Sequence, residues 1–244
     1  MLKENEELQP LGNGLQVIVS KQHHFFTDTI LLANFSKPKK HETAVELGTG
    51  CGTIPLLWNR ENPHVHTYAV EIQENAVDMT RRSIALNHLD EKITVIHEDL
   101  RCLKGRLPIV NCDVVVCNPP YKPLGTGLVS SDGSHAIIRH ENTCTIDDVV
   151  RSASMLLRFG GRFCLCLRPE RLTDTLICMR KYRIEPKRLR MVQQRYNKPP
   201  KLFLIEGKRG GRDGGLNVLP TLFIEKDNGG FSEEMLQIYG TFKE

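Results

Sequence analysis

The chain reads as an α/β protein built on a doubly wound, mostly parallel sheet. Three observations predict it. From residue 43 to residue 180, short apolar runs alternate with stretches of helical periodicity. A glycine-rich turn, Gly48-Thr49-Gly50-Cys51-Gly52, follows the first of those runs directly. The last third then changes to successive extended segments, which predicts an antiparallel hairpin at one end of the sheet.

Each element has its own local reason. Residues 15–19 alternate weakly and suit a short strand or hairpin arm. The apolar stretch 29–35 is a helix with Thr27 or Asp28 as its cap. The first core strand is 43–47, followed by a helix to about Trp58. Strands at 67–72, 92–97 and 113–117 follow, with a helix at 74–87 between the first two. A helix at 146–157 is expected to stop at Gly160-Gly161, followed by a strand at 162–167 and a helix at 169–180. Residues 188–196 and 202–208 form the hairpin, joined through Lys198-Pro199-Pro200, and 216–224 adds an extended piece. A single domain over 1–244 is expected, with 1–40 as an N-terminal extension and helix and 180–244 as a basic hairpin region. The loop 122–142 is long for a compact domain, which marks a functional segment.

Composition narrows the setting. No run of eighteen apolar residues occurs, and the first residues are polar and acidic, so neither a membrane span nor a secretory signal is expected. The eight cysteines include no Cys-x-x-Cys pair, which argues against structural zinc, and a disulfide framework is not expected in a cytosolic chain. The expected setting is cytoplasmic. Charge is uneven: 180–212 holds twelve basic and two acidic residues, a local +10 in a chain of net +4. That asymmetry suits either a polyanionic partner or a set of solvated strand faces.

The glycine turn defines a ligand crevice at the carboxyl ends of the strands. A dinucleotide fingerprint requires a third glycine where Thr53 stands, so that pattern fails. Glu71 ends the second strand, twenty-one positions after Gly50, where an acid can accept hydrogen bonds from ribose hydroxyls. Asp99 and its neighbour Glu98 follow the third strand, and either suits a loop acid or helix cap as well as a ligand contact. The fourth strand ends in Asn118-Pro119-Pro120-Tyr121. Two prolines stiffen that turn. The carboxamide and the nearby carbonyls are acceptors for an –NH2 group, and the tyrosine ring is a stacking face.

Glu46-Leu47-Gly48-Thr49-Gly50-Cys51-Gly52 together with Asn118-Pro119-Pro120-Tyr121 resembles the class I S-adenosylmethionine-dependent amino methyltransferases. The closest likeness is to the YfiC-type tRNA (adenine-N6)-methyltransferases. It extends to Phe26-Thr27-Asp28, Val70-Glu71-Ile72-Gln73, Arg139-His140-Glu141 and Arg168-Pro169-Glu170-Arg171-Leu172, and covers most of the chain.

The resemblance implies a Rossmann-like, seven-stranded methyltransferase sheet and S-adenosylmethionine as cofactor. It assigns Phe26, Asp28, Glu46, Gly48, Gly50, Gly52, Glu71, Ile72, Asp99, Leu100 and Asn118 to cofactor binding. Asn118, Pro119 and Tyr121 become catalytic, and Pro120, Tyr121, Lys122, Arg139 and His140 meet the substrate. No metal is implied. The expected partner is tRNA, at the purine just 3′ of a valine anticodon. Three alternatives stay open: a release-factor glutamine amide, a guanine amine of ribosomal RNA, and an RNA-binding module on a degenerate methyltransferase fold. The first of these families normally carries an N-terminal helical domain, whereas about forty residues precede the glycine turn here.

Overall fold

The computed structural model describes residues 2–62, 65–105, 111–119 and 144–240. Five expected site residues, Pro120, Tyr121, Lys122, Arg139 and His140, lie outside them, as does the loop 122–142. The chain opens with β1 (Glu6–Gly12), β2 (Leu15–Ser20) and α1 (Thr27–Ser36). The alternating region contains β3 (Thr43–Leu47), α2 (Thr53–Glu61), β4 (His66–Glu71), α3 (Glu74–Leu86), β5 (Ile93–His97) and β6 (Cys112–Cys117). Then come α4 (Ile146–Leu156), β7 (Leu157–Leu167), α5 (Leu172–Lys181), β8 (Ile184–Gln193) and β9 (Pro200–Arg209). Two short strands, β10 (Asn217–Val218) and β11 (Leu222–Phe223), and α6 (Glu233–Tyr239) complete it.

Seven strands lie in the order β5-β4-β3-β6-β7-β9-β8, with β10 and β11 both added along β8. Five of them, β5 through β7, are mutually parallel. β9 runs antiparallel between β7 and β8. The strand order reverses between β3 and β6, so their carboxyl ends open the crevice that a doubly wound sheet provides.

The central strands are buried on both faces, which explains their continuous apolar runs. Val114 and Val116 belong to one core with α1, α2, the hairpin and α6, and Cys164 and Cys166 share that face. Val115 and Cys117 belong to the other core with α4 and α5. Trp58 is fully buried, and its indole N–H donates to the Ala33 carbonyl at 3.1 Å, pinning α2 to α1.

Three local readings need correction. The strand at 15–20 has a partner, β1, whose Pro10 and charged residues hide its pattern. The hairpin docks on α3: the Ile18 N–H donates to Ser83 Oγ at 3.0 Å, and Arg82 pairs with Glu6 at 2.6 Å. Second, α1 takes neither expected cap. Phe26 holds the cap position, and its ring has no acceptor to offer the first N–H groups. Third, Gly160-Gly161 does not end the helix. β7 starts at once at Leu157, and the glycines lie in a bulge between the pairs Cys112–Leu157 and Val114–Arg162.

Gly52 tests the turn after β3. Its φ is +81°, and an added Cβ would lie 2.7 Å from Thr80 Cγ2. Gly52→Ala is therefore expected to lower unfolding free energy by about 1–3 kcal/mol, measured by urea denaturation. An unchanged midpoint would mean that the turn relaxes freely.

Candidate active site

The carboxyl ends of β3, β4 and β5 frame a cleft lined by Gly48, Val70, Glu71, Ile72, Glu98, Asp99, Leu100, Arg101 and Cys144. Its floor is organised by Glu71, which is 5% exposed. Glu71 Oε1 accepts from the N–H groups of Ile72 and Gln73, both at 2.9 Å. Its Oε2 accepts from the Gly50 N–H at 2.9 Å. The Val70 carbonyl accepts from Gly48 and Thr49, both at 2.9 Å. The end of β4 thereby fixes the glycine turn after β3. A carboxylate offers about four lone-pair positions. Three backbone N–H groups already use this carboxylate, and its remaining acceptor capacity is what a ribose hydroxyl would meet.

The glycines have separate tasks. Gly48 and Gly50 have φ of +74° and +56°, and a Cβ on either would face open space. There the requirement is conformational. Gly52 is shaped instead by Thr80, whose hydroxyl also donates to the Gly50 carbonyl at 2.9 Å.

Glu46 lies beneath the turn and does not line the cleft. It is 2% exposed and accepts a short hydrogen bond from the Thr49 hydroxyl. Burial pushes its carboxyl well above the usual range; the Thr49 bond opposes this, and the nearby Glu71 charge adds to it. Asp99 does line the cleft, but it also caps the short 3-10 turn Leu100–Cys102 by accepting from the Arg101 N–H at 2.8 Å. The Arg101 guanidinium holds Asp99 below the usual carboxylate range.

Asn118 is half-buried at the end of β6. Its Nδ2 donates to Asp28 Oδ2 at 3.2 Å and to Thr29 Oγ1 at 3.3 Å, both on α1. Asp28 is itself held, since its Oδ1 accepts from the Thr29 N–H at 2.9 Å. These contacts settle which end of the carboxamide is which. The amine end is committed to α1, and Oδ1 is the acceptor end. Pro119 follows, also half-buried. Phe26 is 64% exposed, sits edge-on to His24 at 4.4 Å, and does not line the cleft.

Several wall residues were not expected. Arg101 and Cys144 carry no motif, and Cys144 arrives from far along the chain. Its thiol is pushed up to about 12 by burial, with Asp148 adding to the effect, so it is a neutral wall rather than a nucleophile. His23 lies close enough to Glu71 to feel its charge, although burial outweighs that and keeps the imidazole below its usual range.

A family model described as the methyltransferase small domain matches residues 18–177. The chain belongs to this methyltransferase family. S-adenosylmethionine is the methyl donor of the enzyme. The cleft suits it: a bare glycine turn admits close approach, and carboxylates stand where a ribose and an amino-bearing base need acceptors. Among relatives, a Porphyromonas gingivalis protein named tRNA1(Val) (adenine(37)-N6)-methyltransferase is 27% identical over 203 residues, covering 81% of this chain and 78% of its own. An Aliivibrio fischeri protein of the same name is 25% identical over 222 residues, covering 88% of each chain.

The methyltransferase fold recurs in solved structures. A predicted O-methyltransferase from Agrobacterium tumefaciens matches with a TM-score of 0.71 at 18% identity, over 88% of this chain and 97% of that one. TrmN from Thermus thermophilus matches with a TM-score of 0.52 at 18% identity, over 74% of this chain and 48% of that one.

Glu46 makes the methyltransferase sensitive to pH. Unfolded, its carboxyl ionises near 4.5; folded, it holds its proton to higher pH. Between those two values the folded state binds more protons, so this group's contribution to stability falls as pH rises. Glu46→Gln should remove that slope and be more stable than the parent at neutral pH, as read by urea midpoints across the range. A parent and variant with parallel profiles would contradict the assignment.

Proposed function

We propose that this methyltransferase acts on the exocyclic amine of an adenine in tRNA, next to the anticodon of a valine tRNA. The observation that carries the reading is the orientation of Asn118. An adenine amine is a weak nucleophile because its lone pair is shared with the ring. A carboxamide oxygen accepting one of its N–H bonds favours a pyramidal nitrogen with a directed lone pair. Asp28 and Thr29 hold the amine end of Asn118, which makes Oδ1 the end proposed to accept from the substrate amine. The Pro119 carbonyl is proposed as the second acceptor.

Asp28 thus acts through Asn118 as a positioning residue, in addition to the cofactor role expected of it. Tyr121, with Pro120, Lys122, Arg139 and His140, is retained as substrate-facing on the strength of the motif. S-adenosylmethionine supplies an electrophilic methyl group when bound. Glu71, Ile72, Asp99 and Leu100 would hold its adenosine, with Gly48, Gly50 and Gly52 beside it. Glu46 beneath the turn would act through Thr49, whose hydroxyl it accepts, rather than by touching the cofactor. Phe26 would close the pocket from the N-terminal side. The names of the two relatives support the substrate, as does the basic C-terminal segment. The setting proposed with a tRNA substrate is the cytoplasm. We read 1–244 as one domain because β8 and β9 complete the sheet begun by β3.

Asn118→Ala should keep S-adenosylmethionine affinity, measured by calorimetry, and lose about 10²- to 10³-fold in kcat. Asp28→Ala should lower kcat roughly tenfold or more, with Asp28→Asn recovering part of it, and any change in KM for the donor reads its cofactor role separately. Equal kcat in all three variants would remove Asn118 from the chemistry. For the substrate, radiolabelled methyl transfer to total tRNA is compared with release factor and ribosomal RNA. Nucleoside mass spectrometry of tRNA from cells lacking the protein should show less N6-methyladenosine. Label in the protein or ribosomal RNA alone would redirect the assignment.

A further inference from the structure

The basic segment 180–212 is one block in sequence but two places in the fold. β8 runs parallel to β7 and β9 runs back. The β8–β9 turn therefore projects from the same sheet edge as Asn118. The start of β8 and the end of β9 meet at the opposite edge, where Ile184 pairs with Arg209. Ten residues of β8 separate the two clusters, roughly 30 Å.

The two clusters differ in use. At the far edge and along the strands, cations are largely engaged within the protein. Arg180 pairs with Glu185 at 2.8 Å, Lys181 with Asp147 at 2.5 Å and Arg188 with Glu206 at 2.9 Å. Lys187 Nζ donates to the carbonyls of Arg212 and Gly214 at 2.6 and 2.5 Å. The rim turn is built for presentation. Arg195 is anchored on Glu225 at 2.6 Å, and Gln194 bonds the same carboxylate. The Gln193 amide closes the turn onto the Lys198 carbonyl, and the Lys198 N–H donates to Arg195 O at 3.1 Å. Held this way, the turn exposes Tyr196, 80% accessible and tilted against Phe223 at 6.1 Å, with exposed Lys198 and Lys201 beside it. Glu225 is the acid that faces it, and its charge interacts with both Arg195 and Lys201.

We propose that this turn is an RNA-gripping surface of the active-site rim, with Lys198 and Lys201 on phosphates and Tyr196 under an unpaired base. The inference rests on the tRNA reading above and adds where the strand runs. From β6 to the β8–β9 turn is two to three strand spacings, about 10–14 Å. A polynucleotide with its target base at Asn118 covers that distance with its flanking nucleotides. An exposed aromatic beside exposed lysines on a braced turn suits a single-stranded loop, because bases stack on it whatever their identity.

The test is binding of an unmodified tRNA transcript across a salt series. Lys198→Ala/Lys201→Ala should weaken binding about tenfold or more and reduce the salt slope by about 1–2. Tyr196→Ala should weaken it roughly 5- to 100-fold. Both should keep parental affinity for S-adenosylmethionine, and Arg183→Ala/Arg212→Ala at the far edge should bind RNA like the parent. If the rim variants match a parent that methylates tRNA, this inference fails and the substrate reading stands. If the far-edge variant loses binding instead, the surface lies on the other edge. A parent that binds no RNA overturns both readings together.

Discussion

A single buried carboxylate sets the geometry of the site. Glu71 gathers the N–H groups of Gly50, Ile72 and Gln73, which belong to the turns after two different strands. Without those bonds, three part-buried donors would turn to other partners. Each bond also fixes one edge of the cleft. The left-handed glycines, the bare backbone beside them and the position of Ile72 all follow from that arrangement.

The second constraint joins the cofactor side to the acceptor side. α1 packs against α2 through Trp58 and reaches β6 through Asp28 and Thr29. The segment before the core strands is therefore tied directly to the end of β6. Asp28 divides its carboxylate: Oδ1 accepts from the Thr29 N–H in the first turn of α1, and Oδ2 is given to Asn118. This is a common conflict at functional sites, where a local preference meets a tertiary one.

Charge behaves the same way. Twelve basic residues in one stretch suggest a continuous polyanion surface. Folding assigns Arg180, Arg188 and Arg190 to ion pairs with Glu185, Glu206 and Glu234, and Arg209 to the Leu157 carbonyl. Much of the +10 is neutralised within the molecule or faces away from the cleft. A count along the chain measures total charge, whereas a binding surface depends on which charges share an edge.

Periodicity and punctuation were enough to read the parallel core, the glycine turn, Glu71 and Asn118. These features depend on residues close in sequence: apolar runs buried on both faces, glycines at positive φ, an acid at a strand end. The first hairpin arm stayed hidden because Pro10 and its charges obey no alternation, and it is stabilised by α3 rather than by itself. Arg101, Cys144 and His23 stayed hidden because they acquire a role only by meeting Asp99 and Glu71 in space. Residues near one another in the chain specified the sheet, the glycine turn after β3 and the placement of Asn118 at the end of β6, because local backbone chemistry governs all three. Only the tertiary structure decided which way the Asn118 carboxamide points and which lysines share its edge, because both depend on contacts between segments dozens of residues apart.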